Sequence, residues 1–272
     1  MGYRFSFFNV LRNKTKSSDA KQFSSFSEAL KAAGKGYSAD HLSAYTWARQ
    51  GPLFQDASPL EDVPWFGTAG LLAALPIAAK SDRPVRVLDF GGSTGTHYLL
   101  ATQIYGHVPI GKWAVIETEP MVKRSLDYRS DHLRWFSDID EAMIWLEACD
   151  LVFTSGALQY TPDPQAALSR LLNLHAPILA IQRCAVSLST RSVTIVQKSR
   201  LGENARGPLP EGFPDQDIFY PVTYRPEADV MAQLRRHYGK VVSIRSDRIV
   251  KIAGQSIRSD TVICSQPSEI IT

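Results

Sequence analysis

The chain has 272 residues, 44% of them hydrophobic and 21% charged, with a formal net charge of +3. This fits one elaborated soluble α/β domain with a sizeable core, or one domain with appendages, and the mild charge without a long basic run does not imply nucleic acid. No apolar run is long enough to span a bilayer, and Cys149, Cys184 and Cys264 form neither a zinc pattern nor a disulfide framework, so a reducing, cytoplasmic setting is expected.

Residues 1–22 make a basic, aromatic tail. Met1-Gly2-Tyr3-Arg4-Phe5-Ser6 fits the loose myristoylation pattern, and Phe5, Phe7 and Phe8 are interspersed with Arg4, Arg12 and Lys14. The tail reads either as a frayed or packed end or as a segment in weak contact with a membrane surface. Residues 23–83 read as an N-terminal helical cap in three pieces. Serines precede Ala29–Ala33, Ser38 or Asp40 caps a helix through Trp47, and a third helix spans Trp65–Lys80.

From residue 84 to 272, strand and helix patterns alternate, which predicts a parallel sheet with right-handed crossovers. Strands are expected at Val85–Phe90, Trp113–Glu117, His132–Phe136, Asp150–Ser155 and Pro177–Gln182. Residues 184–224 read as an irregular, Pro/Gly-rich insertion. A last helix, Pro226–Tyr238, precedes Lys240–Arg245 and Asp260–Ser265, which can pair as a hairpin.

The organising stretch is Pro84–Tyr98. Val85, Val87 and Leu88 lead to Asp89, then Gly91, Gly92 and Gly95 make a backbone turn before a helix opens at Thr96. The spacing fails the G-x-G-x-x-G dinucleotide fingerprint at Ser93, and no Lys-Ser/Thr pair follows for a P-loop. A carboxylate just below the turn repels a pyrophosphate and suits a ligand with positive charge. S-adenosylmethionine (SAM), with its sulfonium and ammonium groups, meets that requirement.

Ligands of open α/β sheets bind beyond the carboxyl ends of the strands. Glu117 ends the second strand and can accept both hydroxyls of a ribose, or serve only as a solvated strand-end charge. Asp138 follows the third strand, where it can meet an adenine amino group or cap the next helix. After the fourth strand, Ser155 and Gly156 offer backbone groups to the methionine part, with Gln159 and Tyr160 close to the reactive methyl.

These residues resemble class I SAM-dependent methyltransferases. Asp-Phe-Gly-Gly-Ser-Thr-Gly (89–95) matches the first motif, and Val-Ile-Glu (115–117) and residues 150–160 resemble later ones. The resemblance is closer to a bacterial methyltransferase group met among surface-polysaccharide genes. Its signatures are matched by 89–95, 114–117, 155–160, Arg183, Val196-Gln197 and Tyr220-Pro221, over about residues 85–245. One departure is Thr118-Glu119, which separates Glu117 from Pro120-Met121 on the adenine side.

The resemblance implies a Rossmann-like seven-stranded sheet, mostly parallel with the last strand antiparallel, preceded by the helical extension. It also implies SAM as cofactor, held by Asp89, Phe90, Gly91, Gly92, Ser93, Gly95, Glu117, Thr118, Asp138, Ser155 and Gly156. The acceptor would be a small or saccharide-linked molecule of the cell envelope. On the catalytic side stand His97, Tyr160, Arg183 and Tyr220, with Glu119 as a further base candidate. His97 can equally be a packed or capping histidine, and Arg183 can hold an acceptor anion or tie the insertion down. No metal pattern is present. Two other readings stay open: a nucleotide-dependent oxidoreductase or epimerase, and a non-catalytic methyltransferase-like assembly domain.

Overall fold

The computed structural model describes residues 20–34, 36–55, 65–79, 83–106, 109–203 and 209–266. Most of the basic tail, residues 1–19, lies outside the described residues. Its end is structured: Gln22–Phe23 forms strand β1.

Three helices follow, α1 (Phe26–Ala33), α2 (Asp40–Gln50) and α3 (Trp65–Ala78). Then strand and helix alternate: β2 (Val85–Phe90), α4 (Thr96–Ile104), β3 (Ile110–Ile116), α5 (Glu119–Arg124), β4 (Leu133–Phe136), α6 (Ile139–Leu146), β5 (Leu151–Ser155), α7 (Pro164–Leu172) and β6 (Ile178–Ser187). The chain ends in β7 (Val193–Arg200), β8 (Asp217–Pro226), α8 (Glu227–Arg235), β9 (Lys240–Ile244), β10 (Ile249–Ile252) and β11 (Gln255–Ser265).

β4, β3, β2, β5 and β6 lie side by side and parallel. β11 runs antiparallel to β6 on one side and to β9 on the other. The result is the expected seven-stranded sheet, mostly parallel with an antiparallel last strand. Side-chain alternation along β2 assigns the two faces. Val85 and Val87 join Trp113, Trp135 and Phe153 under α3 and α4, while Leu88 packs with Leu146, Leu171 and Leu234 from α6, α7 and α8. Asp138 and Asp163 cap α6 and α7, each accepting two backbone N–H groups.

Residues 184–224 differ from the irregular insertion expected. Val193–Arg200 and Asp217–Pro226 are paired antiparallel strands, and β1 adds to β7. Alternating β-branched and aromatic residues drive the pairing, while Pro210, Gly212 and Pro214 gather in the connection. β8 returns to the main sheet where Arg225 and Pro226 pair with Val186 and Ser187. The expected hairpin partners β9 and β11 do pair, with β10 between them in sequence. β10 turns into β11 through Ala253 and Gly254, both at positive φ (48° and 76°).

Candidate active site

A cleft of about 730 Å³ opens at the carboxyl ends of β2, β3 and β5. Its floor is the glycine turn. Gly91 and Gly95 have φ of 70° and 82°, and a Cβ on Gly91 would stand 2.2 Å from the Ala157 Cβ. Gly91 donates its N–H to Ile116 O at 2.8 Å, tying the turn to β3. Ser93 sits at φ 56°, and Trp135 Nε1 donates to its carbonyl at 3.0 Å.

Asp89 does not line the cleft. Strand alternation turns it onto the α4 face, where it is fully buried directly beneath Gly92. A Cβ on Gly92 would stand 2.4 Å from Asp89 Oδ2. That oxygen accepts from Trp113 Nε1 at 3.3 Å and faces His97 Nδ1 at 2.9 Å, while Oδ1 has no hydrogen-bond partner among the described residues. His97 does line the cleft, and its ring meets Phe153 edge-on at 5.0 Å. The effect of Asp89 thus reaches the ligand space through His97 and the backbone above it.

Glu117, half-buried, follows β3 and leans over the turn. Ser93 N–H donates to its Oε1 at 3.0 Å and Thr118 N–H to Oε2 at 2.9 Å. Burial raises the carboxyl's pKa from the usual 4.5, against the lowering effect of those two donors. Each oxygen keeps a lone pair for a ligand hydroxyl. Thr118 lines the same wall, and its Oγ1 is buried without a partner among the described residues. Phe90, Ser137, Ser155 and Gly156 line the cleft as well. Asp138 does not join them: one oxygen caps α6, and the other faces Arg170 at 3.3 Å. Those backbone donors hold its carboxyl below the usual range.

Arg183 occupies a β-bulge. Gln182 and Arg183 together oppose Thr261 where the β6–β11 register shifts, and Arg183 takes φ 54°. This swings its guanidinium over the turn after β5, where Nε donates to Ser155 Oγ at 3.1 Å and Nη2 to Ser155 O at 2.7 Å. The bare Cα of Gly156 makes room for it, since a Cβ there would lie 3.0 Å from Arg183 Nε. Tyr160 meets Tyr220 edge-on at 5.4 Å. Burial pushes the Tyr160 hydroxyl well above 10, so it keeps its proton at neutral pH and can donate rather than abstract. Tyr220 also lines the cleft, but it is only 1% exposed and its hydroxyl donates to Ser199 Oγ at 3.1 Å. Glu119 opens α5 and lies on its exposed side.

Other lining residues were not singled out by sequence reasoning as site residues. Leu42 and Tyr45 of α2 form a roof, and α2 is held to α5 by Trp47 Nε1 donating to Met121 O at 3.1 Å and by the Arg124–Asp40 pair at 2.8 Å. Gln197 of β7 lines the cleft with Tyr160, Tyr220 and Tyr224, and its Oε1 is buried without a donor among the described residues. The Val-Gln signature was the only sequence signal pointing to it.

No family model matches the chain, and no curated protein does. Among solved structures, the chain is similar to a SAM-dependent methyltransferase from Clostridium acetobutylicum, with 10% identity, a TM-score of 0.45 and coverage of 75% of this chain and 93% of that one. It is also similar to SAM-bound CalS10, an amino pentose methyltransferase from Micromonospora echinaspora (12% identity, 79% and 95% coverage, TM-score 0.42). A third is the sugar N-methyltransferase KedS8 from a Streptoalloteichus species (14% identity, 74% and 87% coverage, TM-score 0.44).

Proposed function

We propose that this chain is a SAM-dependent methyltransferase whose acceptor is a saccharide or another small, hydroxyl-bearing precursor of the cell envelope. Asp89 carries the reading. It is a fully buried carboxylate under the glycine turn, with no Lys or Arg partner among the described residues and one oxygen lacking any donor. Its field favours a ligand that brings positive charge above the turn and disfavours the pyrophosphate of a dinucleotide.

SAM supplies an electrophilic methyl on a sulfonium centre. The chain's own groups fit such a molecule. Gly91 and Gly92 let the turn pack tightly against Ala157 and Asp89 while both line the cleft, Glu117 has lone pairs for ribose hydroxyls, and Thr118 Oγ1 lacks a partner among the described residues on the same wall. Phe90 and Ser137 are suited to the adenine side, and Ser155 and Gly156 to the methionine side.

His97 is the base we assign. A carboxylate can only accept, so Nδ1 carries the proton facing Asp89, and Nε2 is left to take a proton from an acceptor hydroxyl. Arg183 shapes the pocket by fixing the turn after β5. The tyrosine rings and the unpartnered Gln197 amide suit an acceptor with both apolar faces and hydroxyl groups. A radiolabelled methyl-transfer screen on cell-envelope fractions tests this, with incorporation expected into a saccharide-containing fraction. SAM binding without transfer to any fraction would leave a binding domain only.

A further inference from the structure

Arg225 follows Tyr224 in β8, so strand alternation points it away from the candidate active site. It is 9% exposed. Its Nη1 donates to Gln233 Oε1 at 2.8 Å, the one hydrogen bond this guanidinium makes among the described residues, and no carboxylate there lies within ion-pair distance. Gln233 is itself held, donating from Nε2 to Ser169 Oγ at 2.8 Å and to Gln165 O at 3.2 Å. This chain of bonds fixes the guanidinium between α7 and α8. Burial lowers its pKa, and the more distant Asp229 and Asp163 only partly offset that.

Buried cations are ordinarily paired, because an uncompensated charge taken out of water is costly. Arg225 lines a second cleft of about 450 Å³ together with Ser169, Asn173, Asp229 and Arg236. This cleft shares no lining residue with the first. The Ser169 hydroxyl accepts from Gln233, which leaves its own proton to donate. Arg236 on the rim balances the charge of Asp229. The planar fork of an arginine matches an oxyanion, and here most of that fork has no partner among the described residues.

We infer that the cleft between α7 and α8 is a second ligand site, which takes the oxyanion of a small molecule, a phosphoryl or carboxylate group, on Arg225. It is independent of the methyltransferase reading.

The test is calorimetric titration of the full chain with inorganic phosphate and, separately, acetate, at constant ionic strength set by chloride. Saturable binding of phosphate alone assigns a phosphoryl ligand, and of acetate alone a carboxylate. Arg225→Lys keeps the charge but loses the fork and should weaken binding by about 30-fold, the range for losing one hydrogen bond to a charged group. Arg236→Ala, an exposed change that does not threaten the fold, should weaken it several-fold. Thermal melts establish that each variant is folded. No saturation with either anion, or wild-type affinity in both variants, overturns the site.

Discussion

The Asp89 carboxylate and the His97 imidazole stand 2.9 Å apart and join the buried floor of the glycine turn to the cleft above it. Local sequence creates the pair: alternation along β2 turns Asp89 toward α4, and the first turn of α4 places His97 over it. As a general base His97 should be worth about 10²–10⁴ in rate. His97→Ala should therefore lower single-turnover methyl transfer by that factor while SAM affinity changes little. Asp89→Asn should weaken both binding and transfer. Full transfer by the His97 variant would remove the base from the account.

Gly91→Val should abolish cofactor binding. Its Cβ would meet Ala157 at 2.2 Å, and its backbone sits at φ 70°, where a β-branched residue is strained. Strain of this kind costs roughly 1–3 kcal/mol, so a lowered but cooperative melt is expected. Unchanged titration of a folded Gly91→Val protein would move the cofactor elsewhere.

Burial raises the Glu117 carboxyl above its ordinary pKa of 4.5. The folded state therefore binds this proton more tightly than the unfolded chain does. Its contribution to stability is largest at low pH and is lost as pH rises from 4.5 through the raised value. Cofactor binding should run the other way, because the ionised form accepts from ribose hydroxyls. SAM affinity should fall as the solution is acidified through that raised value, and Glu117→Gln should flatten that profile at a cost of about 1–3 kcal/mol. An identical pH profile in the variant would separate Glu117 from the ribose.

Gln197 offers a buried amide oxygen with no donor among the described residues. Replacing an unsatisfied group with an apolar one of similar size is nearly neutral or stabilising, so Gln197→Leu should melt no lower than the wild type. If the amide holds the acceptor, KM for the acceptor should rise roughly tenfold, the upper range for one hydrogen bond. A lower melting point with unchanged KM would make Gln197 structural.

Where local signals were strong, the sequence could be read directly. Val85, Val87 and Leu88 before the glycines defined β2, the turn and α4, and Asp163-Pro164 marked the start of α7. For Asp138 the sequence allows both an adenine contact and a helix cap, and its bonds to Asp140 and Glu141 put it in the cap. The pairing of β7 with β8 is not legible locally, because it is non-local and Pro221 argues against a strand on local grounds. Arg183 depended on a bulge created by the β11 register, and Tyr220 on a hydroxyl partner at Ser199 across the pair. Such facts arise from tertiary pairing, and no spacing along the chain encodes them.

The most direct measurement is calorimetric titration of the purified chain with SAM and with NAD, in parallel for the wild type and Gly91→Val. The account predicts saturable SAM binding by the wild type, none by folded Gly91→Val, and no binding of NAD by either. Binding of NAD without SAM, or equal SAM affinity in the two proteins, would contradict it.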